Sequence, residues 1–151
     1  MSNRIDYATV SPEGYKAFGK VPAYLYTCGL PHELVDLVNL RVSQINGCAY
    51  CIDKHSRDLI KRGVTVDKLV LVPVWNEAGA VFDTRERAAL EWAEIVTRLG
   101  ETGVSDAKYD AVTSVFDDKE VSDLTYAIAL MNAFNRLSIS FRNKPAAAVE
   151  V

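Results

Sequence analysis

An all-α fold is what this 151-residue sequence predicts, and three observations carry that reading. Apolar residues recur at helical spacing, and strand-like alternation is scarce. Capping residues stand before the apolar runs, and Gly or Pro stands after them. No linker, low-complexity run or internal repeat divides the chain. A single helical domain over residues 1–151 is therefore expected, with its core at about 31–142.

Residues 5–30 hold Pro12, Gly14, Gly19, Pro22 and Gly29 between aromatic side chains. They read as an irregular arm followed by one short helix at 23–28, whose tyrosines and Phe18 cover a core or a neighbouring subunit. Pro31 suits a first helical turn because its missing N–H would be unpaired there. The helix 31–45, "PHELVDLVNLRVSQI", is apolar nearly all round and so is expected to be buried. Asn46-Gly47 stops it, since both residues tolerate a left-handed cap. A second helix begins at or just before Cys48 and ends at Gly63. Thr65 caps a helix to Leu71 that Pro73 breaks, and Asp83 or Thr84 caps a helix to Leu99 that Gly100 ends. Ser105 caps a short helix to Phe116. The last long helix covers roughly 119–140, and the tail 143–151 is read as loose or docked on a partner.

Composition narrows the function classes. With 49% hydrophobic and 25% charged residues the chain is an ordinary globular one, and its length suffices for a core without disulfide or metal staples. A net charge of −3 offers no basic face for nucleic acid or for an anionic membrane. No signal-peptide core and no run of about 20 apolar residues is present, so a cytoplasmic location is the expectation. In a reducing compartment a close cysteine pair points to catalysis or metal binding rather than to a structural staple.

That pair lies in "INGCAYCIDKH", residues 45–55. On a helix Cys48 and Cys51 stand about 60° apart, and His55 projects between them one turn beyond Cys51. Near a helix N-terminus, free N–H groups and the dipole favour thiolate, the nucleophilic form. His55 supplies a titratable nitrogen one turn away. Zinc is the competing reading, with Cys48, Cys51 and His55 joined by His32, Cys28 or Asp36, although three ligands on one helix make a poor tetrahedron. Cys28 alone reads as a small buried hydrophobe. Asp36 lies in a run of aliphatics, either buried and paired or on a polar seam with Asn39 and Ser43. Asn132, Asn135 and Arg136 raise the same question on the last helix, with Arg136 either pairing an acid or simply capping and solvated.

Three blocks, "LRVSQINGCAYCIDKHSRDL", "ERAALEWAE" and "NAFNRL", resemble in order the alkyl hydroperoxidase D-like (AhpD-like) branch of the carboxymuconolactone decarboxylase family, over about 31–142. The resemblance implies an AhpD-like helical domain assembled as a homotrimer or homohexamer. It implies a thiol-dependent peroxidase acting on small organic hydroperoxides, with no cofactor beyond an external thiol reductant, which in the family can be protein-bound. Carried over by position, the relay is Asp36, Cys48, Cys51 and His55. Cys51 would attack the peroxide and become sulfenic acid, and Cys48 would donate a proton and condense with it to a disulfide. Two positions depart from the family pattern: Asp36 is one methylene shorter than the family's glutamate, and Tyr50 stands where hydroperoxidases tend to carry histidine. The family name also suggests lactone decarboxylation with His55 and a carboxylate as acid and base. A redox-sensing oligomer without turnover is the non-enzymatic alternative.

Overall fold

A computed structural model describes residues 4–148, and among them there is no β-strand. The N-terminal arm is more regular than its Pro and Gly content suggests. Helix α1 (Tyr7–Val10) is capped by the Asp6 carboxylate, which accepts from the Ala8 and Thr9 N–H groups. Helix α2 (Pro12–Leu25) begins with Pro12 in its first turn, where no N–H is needed, and contains Pro22 three residues before its end. The expected irregular stretch is thus helix, and the short helix placed at 23–28 is only the last turn of α2 and the bend after it.

Helix α3 (His32–Asn46) ends at Gly47, whose φ of +70° is the left-handed cap that a side chain would strain. Helix α4 (Ala49–Lys61) follows at once, with Cys48 as its extended N-cap residue. Thr65 caps α5 (Val66–Leu71), and the chain then tightens into 3-10 turns at Val72–Glu77 and Gly79–Val81. Asp83 and Glu86 form a reciprocal capping box that starts α6 (Thr84–Thr97). Gly100 does not end that helix as expected. It lies inside the short α7 (Leu99–Thr102), after α6 has already stopped. Ser105 caps α8 (Asp106–Thr113), and a second capping box, Asp117 with Glu120, starts α9 (Asp118–Phe141).

Helix α3 is the hub, packing on α4, α6 and α9. One side of it, with Leu34, Val38 and Val42, joins Trp92, Leu124 and Ile128 in the larger part of the core, and both Cys48 and Cys51 lie there. Its other side, with Leu37 and Leu40, packs against Leu59, Phe82 and Leu90. That double burial is why the segment reads as apolar all round. Part of the tail also folds back, because Ala146 N–H and Ala147 N–H donate to Asp53 Oδ2 on α4 at 2.9 and 3.5 Å. The tail is therefore docked on its own chain as far as residue 148, and 149–151 lie outside the described residues. Among the described residues no helix is long and apolar enough to cross a membrane.

Candidate active site

Where α3 stops at Gly47 and α4 starts, the chain turns tightly enough to bring the two cysteines together. Cys48 is not on the helix itself but caps it in an extended conformation, while Cys51 occupies the first turn. Both are free thiols, buried to 1% and 3% exposure, and Cys48 Sγ donates to Cys51 Sγ at 2.8 Å.

The pair is electrically asymmetric. The hydrogen bond from Cys48, helped by the Asn135 amide, the Ser138 hydroxyl and the charge of His55, outweighs burial and lowers the Cys51 thiol to about 6. Donating its proton to Cys51, together with burial, pushes the Cys48 thiol well up. Two groups with shared protons titrate as a unit, so the pair loses one proton readily and keeps the other. Position at a helix start predicts thiolate at both cysteines, and the hydrogen bond from Cys48 to Cys51 favours it at Cys51.

A polar floor holds this geometry. Asn135 is fully buried; its Nδ2 donates to Ser43 Oγ at 3.1 Å, and its Oδ1 accepts from Asn46 Nδ2 at 2.9 Å. Asn46 also donates to Asn132 Oδ1 at 2.9 Å, so the α3 terminus is tied to α9 directly beneath the cysteines. Cys51 Sγ donates to Ser138 Oγ at 3.8 Å, and that oxygen also accepts from Asn143 Nδ2 at 3.4 Å, so once Cys51 is ionised the hydroxyl can turn its own proton to the sulfur. Of the polar trio on the last helix, Asn132 and Asn135 belong to this floor. Among the described residues Arg136 donates only back to Asn132 within its own helix. Ser138 escaped the sequence reading, because a serine in an apolar helix gives no signal until its neighbour is known. Its i,i+3 relation to Asn135 was the one available hint.

Asp36 lies near, but it does not reach the sulfurs. Its Oδ1 bonds His55 Nδ1 at 3.1 Å, and its Oδ2 accepts from Arg62 Nε at 3.1 Å. Burial raises the Asp36 carboxyl, but the bonds and charges of His55 and Arg62 outweigh it and hold the group below the ordinary carboxylate range. With Nδ1 turned to Asp36, His55 Nε2 has no hydrogen-bond partner among the described residues. Arg62, at the end of α4, is a partner that nothing in the sequence singled out.

Asp36, Cys51, His55 and Ser138 all line one cavity of about 460 Å³, and Cys48 lies behind it. Tyr7, Tyr15 and Tyr26 from the arm, with Tyr50 and Phe134, supply aromatic walls. The zinc set does not assemble. The described residues place Asp36, His55 and Asp58 with ligand atoms within 4.8 Å of one another, without either cysteine. Arg62 on Asp36, and Lys54 and Lys61 on Asp58, occupy that group with cations already. Cys28, expected to be a buried hydrophobe, is half-buried and donates to Leu25 O at 3.3 Å.

Residues 12–94 match the carboxymuconolactone decarboxylase family. The chain is 35% identical to the uncharacterized protein YdfG of Bacillus subtilis, over 97% of this chain and 99% of that one. It is 36% identical to the alkyl hydroperoxide reductase AhpD of Beijerinckia indica over 44% of this chain, spanning 40% of that relative's length. The crystal structure of an Agrobacterium tumefaciens protein of unknown function, whose name links it to AhpD and antioxidant defence, superposes with a TM-score of 0.90 at 37% identity, covering 95% of this chain and 98% of the other. At family level these relatives support a peroxidase-related antioxidant role. The chain belongs to the carboxymuconolactone decarboxylase family, in its AhpD-like branch.

Proposed function

We propose that this protein is a thiol-dependent peroxidase that reduces small organic hydroperoxides through Cys51 and Cys48. The observation that carries the reading is the split pair: a low thiol facing a cavity, 2.8 Å from a high thiol behind it. A peroxidase needs one nucleophile at neutral pH and one thiol still protonated nearby, and the pair supplies both.

Cys51 passes its proton to His55 Nε2, and the thiolate attacks the terminal oxygen of ROOH. The O–O bond breaks, Cys51 becomes sulfenic acid, and the alkoxide leaves. The imidazolium, oriented by Asp36, returns the proton and gives ROH. Cys48 sulfur then displaces hydroxide from Cys51, its proton leaves with that hydroxide as water, and a disulfide forms. An external dithiol reduces the disulfide, so ROOH and two thiols become ROH, water and one disulfide. The shorter Asp36 suits this route, because it acts on His55 and needs no contact with sulfur. The reductant is an external thiol, with no other cofactor. Assembly into a homotrimer or homohexamer belongs to the same reading; Val66 and Val70, a turn apart on α5 and about 60% exposed, are surface that a partner copy would cover.

One equivalent of cumene hydroperoxide, followed by alkylation and intact mass, tests the reading. Two alkylatable thiols are expected to vanish and to return with a dithiol. Cys48→Ser protein is expected to stop at a Cys51 sulfenic acid that dimedone traps, and Cys51→Ser protein to resist oxidation. Thiols that stay alkylatable in the unaltered protein would refute the peroxidase.

A further inference from the structure

The cavity is far larger than the peroxide group alone requires, and its volume of about 460 Å³ lies in the range of sites that enclose an organic ligand. Two features of its lining narrow the class of that ligand.

The first is aromatic. Tyr7 and Tyr15 meet edge to face at 6.0 Å, Tyr26 meets His32 in the same way at 4.2 Å, and Phe134 meets Phe18 at 5.8 Å. Of the rings that line the cavity, Tyr7, Tyr15 and Tyr26 come from the arm, Tyr50 from α4 and Phe134 from α9. Rings arranged edge to face leave both faces and edges for a further ring, which aromatic quadrupoles favour over aliphatic filler.

The second is charge. Two carboxylates and two ordinary cations line the cavity, so their formal charges cancel. Each acid is already paired: Asp36 with Arg62 at 3.1 Å and Asp58 with Lys54 at 2.8 Å. A carboxylate on the substrate would meet Asp36 and Asp58, and it would have to share a cation that one of them already holds. Desolvating an unpaired charge there is costly.

From these two features, and resting on the peroxidase reading, we infer that the cavity selects hydroperoxides with an uncharged aromatic body, and disfavours both carboxylate-bearing hydroperoxides and hydrogen peroxide. The aromatic body stacks among Tyr15, Tyr26 and Phe134, which points its peroxide toward Cys51 and Ser138. Hydrogen peroxide has no such body and is left to diffuse.

The first arm of the test uses no turnover. 2-Phenyl-2-propanol, the alcohol that cumene hydroperoxide would leave, is added before iodoacetamide, and the alkylation rate of Cys51 is followed by mass. It is expected to slow alkylation at least tenfold more effectively than its para-carboxylate analogue, with tert-butanol inert at the same concentration. Equal or better protection by the carboxylate analogue would overturn the inference. The second arm compares rate constants for thiol oxidation by cumene hydroperoxide and by hydrogen peroxide. Their ratio is expected to exceed ten and to fall tenfold or more in Tyr15→Ala and Tyr26→Ala proteins; a ratio that both variants leave unaltered also overturns it. Because the ratio is internal, a general loss of folded protein cancels. If neither peroxide oxidises the pair, the peroxidase reading falls, and the selectivity of the cavity still stands or falls on the alcohol.

Discussion

Asp36 and Asp123 are built alike and serve differently. Both are acids on core helices, Asp36 half-buried with its side chain 14% exposed and Asp123 buried with its side chain 3% exposed. Each is held between a ring-bearing partner and a cation: Asp36 by His55 and Arg62, Asp123 by Tyr24 Oη at 2.8 Å and Lys119 Nζ at 2.6 Å. In both, burial raises the carboxyl and the partners outweigh it, so both stay below the ordinary range. Yet Asp36 lines the cavity and bears on an imidazole, whereas Asp123 is absent from that lining and ties α2 to α9. Lys119 strengthens the tie by donating to Cys28 O at 2.7 Å. A depressed carboxyl marks an acid that is held; what it faces decides whether it works.

The sharpest way to separate the two is to neutralise each. Asp36→Asn is expected to lower hydroperoxide turnover about 10²–10⁴-fold, because His55 loses the charge that orients it and supports its imidazolium. Its effect on thermal stability is expected to be the smaller one. Asp123→Ala should do the reverse: a loss of about 1–3 kcal/mol in denaturant unfolding, from the Tyr24 and Lys119 bonds it abandons, with the Cys51 alkylation rate little changed. Equal activity losses in the two variants would break the comparison. Acid adds a check with a defined sign. A carboxyl lowered in the folded state contributes stability that is present above its unfolded value, about 3.9, and is lost as pH falls through the folded value. Unfolding free energy should therefore drop below about pH 4, and Asp123→Ala should flatten that limb.

The sequence made one of these acids legible and not the other. Asp36 stood out against aliphatic neighbours and fell at a position the family resemblance marks. Asp123, in "VSDLTYAI", looks like any polar residue near a capped helix start, and its partner Tyr24 is 99 residues away. The same contrast runs through the fold. The cap signals at Gly47, Thr65, Asp83 and Ser105 are local, and each was readable. The arm was misread because proline was counted as a breaker. Pro12 in fact opens α2, and Pro22 stands near its end, where packing on α9 sustains the helix. Cys48, Cys51 and His55 stood out in the sequence by their spacing. That the Cys51 thiol lies below that of Cys48 follows from the hydrogen bond Cys48 donates, with Asn135 and Ser138 adding to it, and no periodicity encodes those contacts.

That last point separates Cys51 from Cys48 as Asp36 was separated from Asp123, and it calls for a pH profile. With the Cys51 thiol near 6, its iodoacetamide rate should fall about tenfold per unit below that pH and level off above it. Cys48, held high, should react slowly throughout the neutral range.

Ser138→Ala carries the smallest expected effect. Cys51 has three hydrogen-bond donors, Cys48, Asn135 and Ser138, and the Ser138 contact is long at 3.8 Å. Its loss should raise the thiol by a fraction of a unit, which near pH 6 slows alkylation on the order of threefold and near pH 8 changes almost nothing. A packing defect would instead slow or speed the reaction equally at both pH values. Loss confined to the acidic side therefore identifies the hydroxyl as a donor to the thiolate, and a uniform change would leave Cys48 and Asn135 as the groups that make Cys51 acidic.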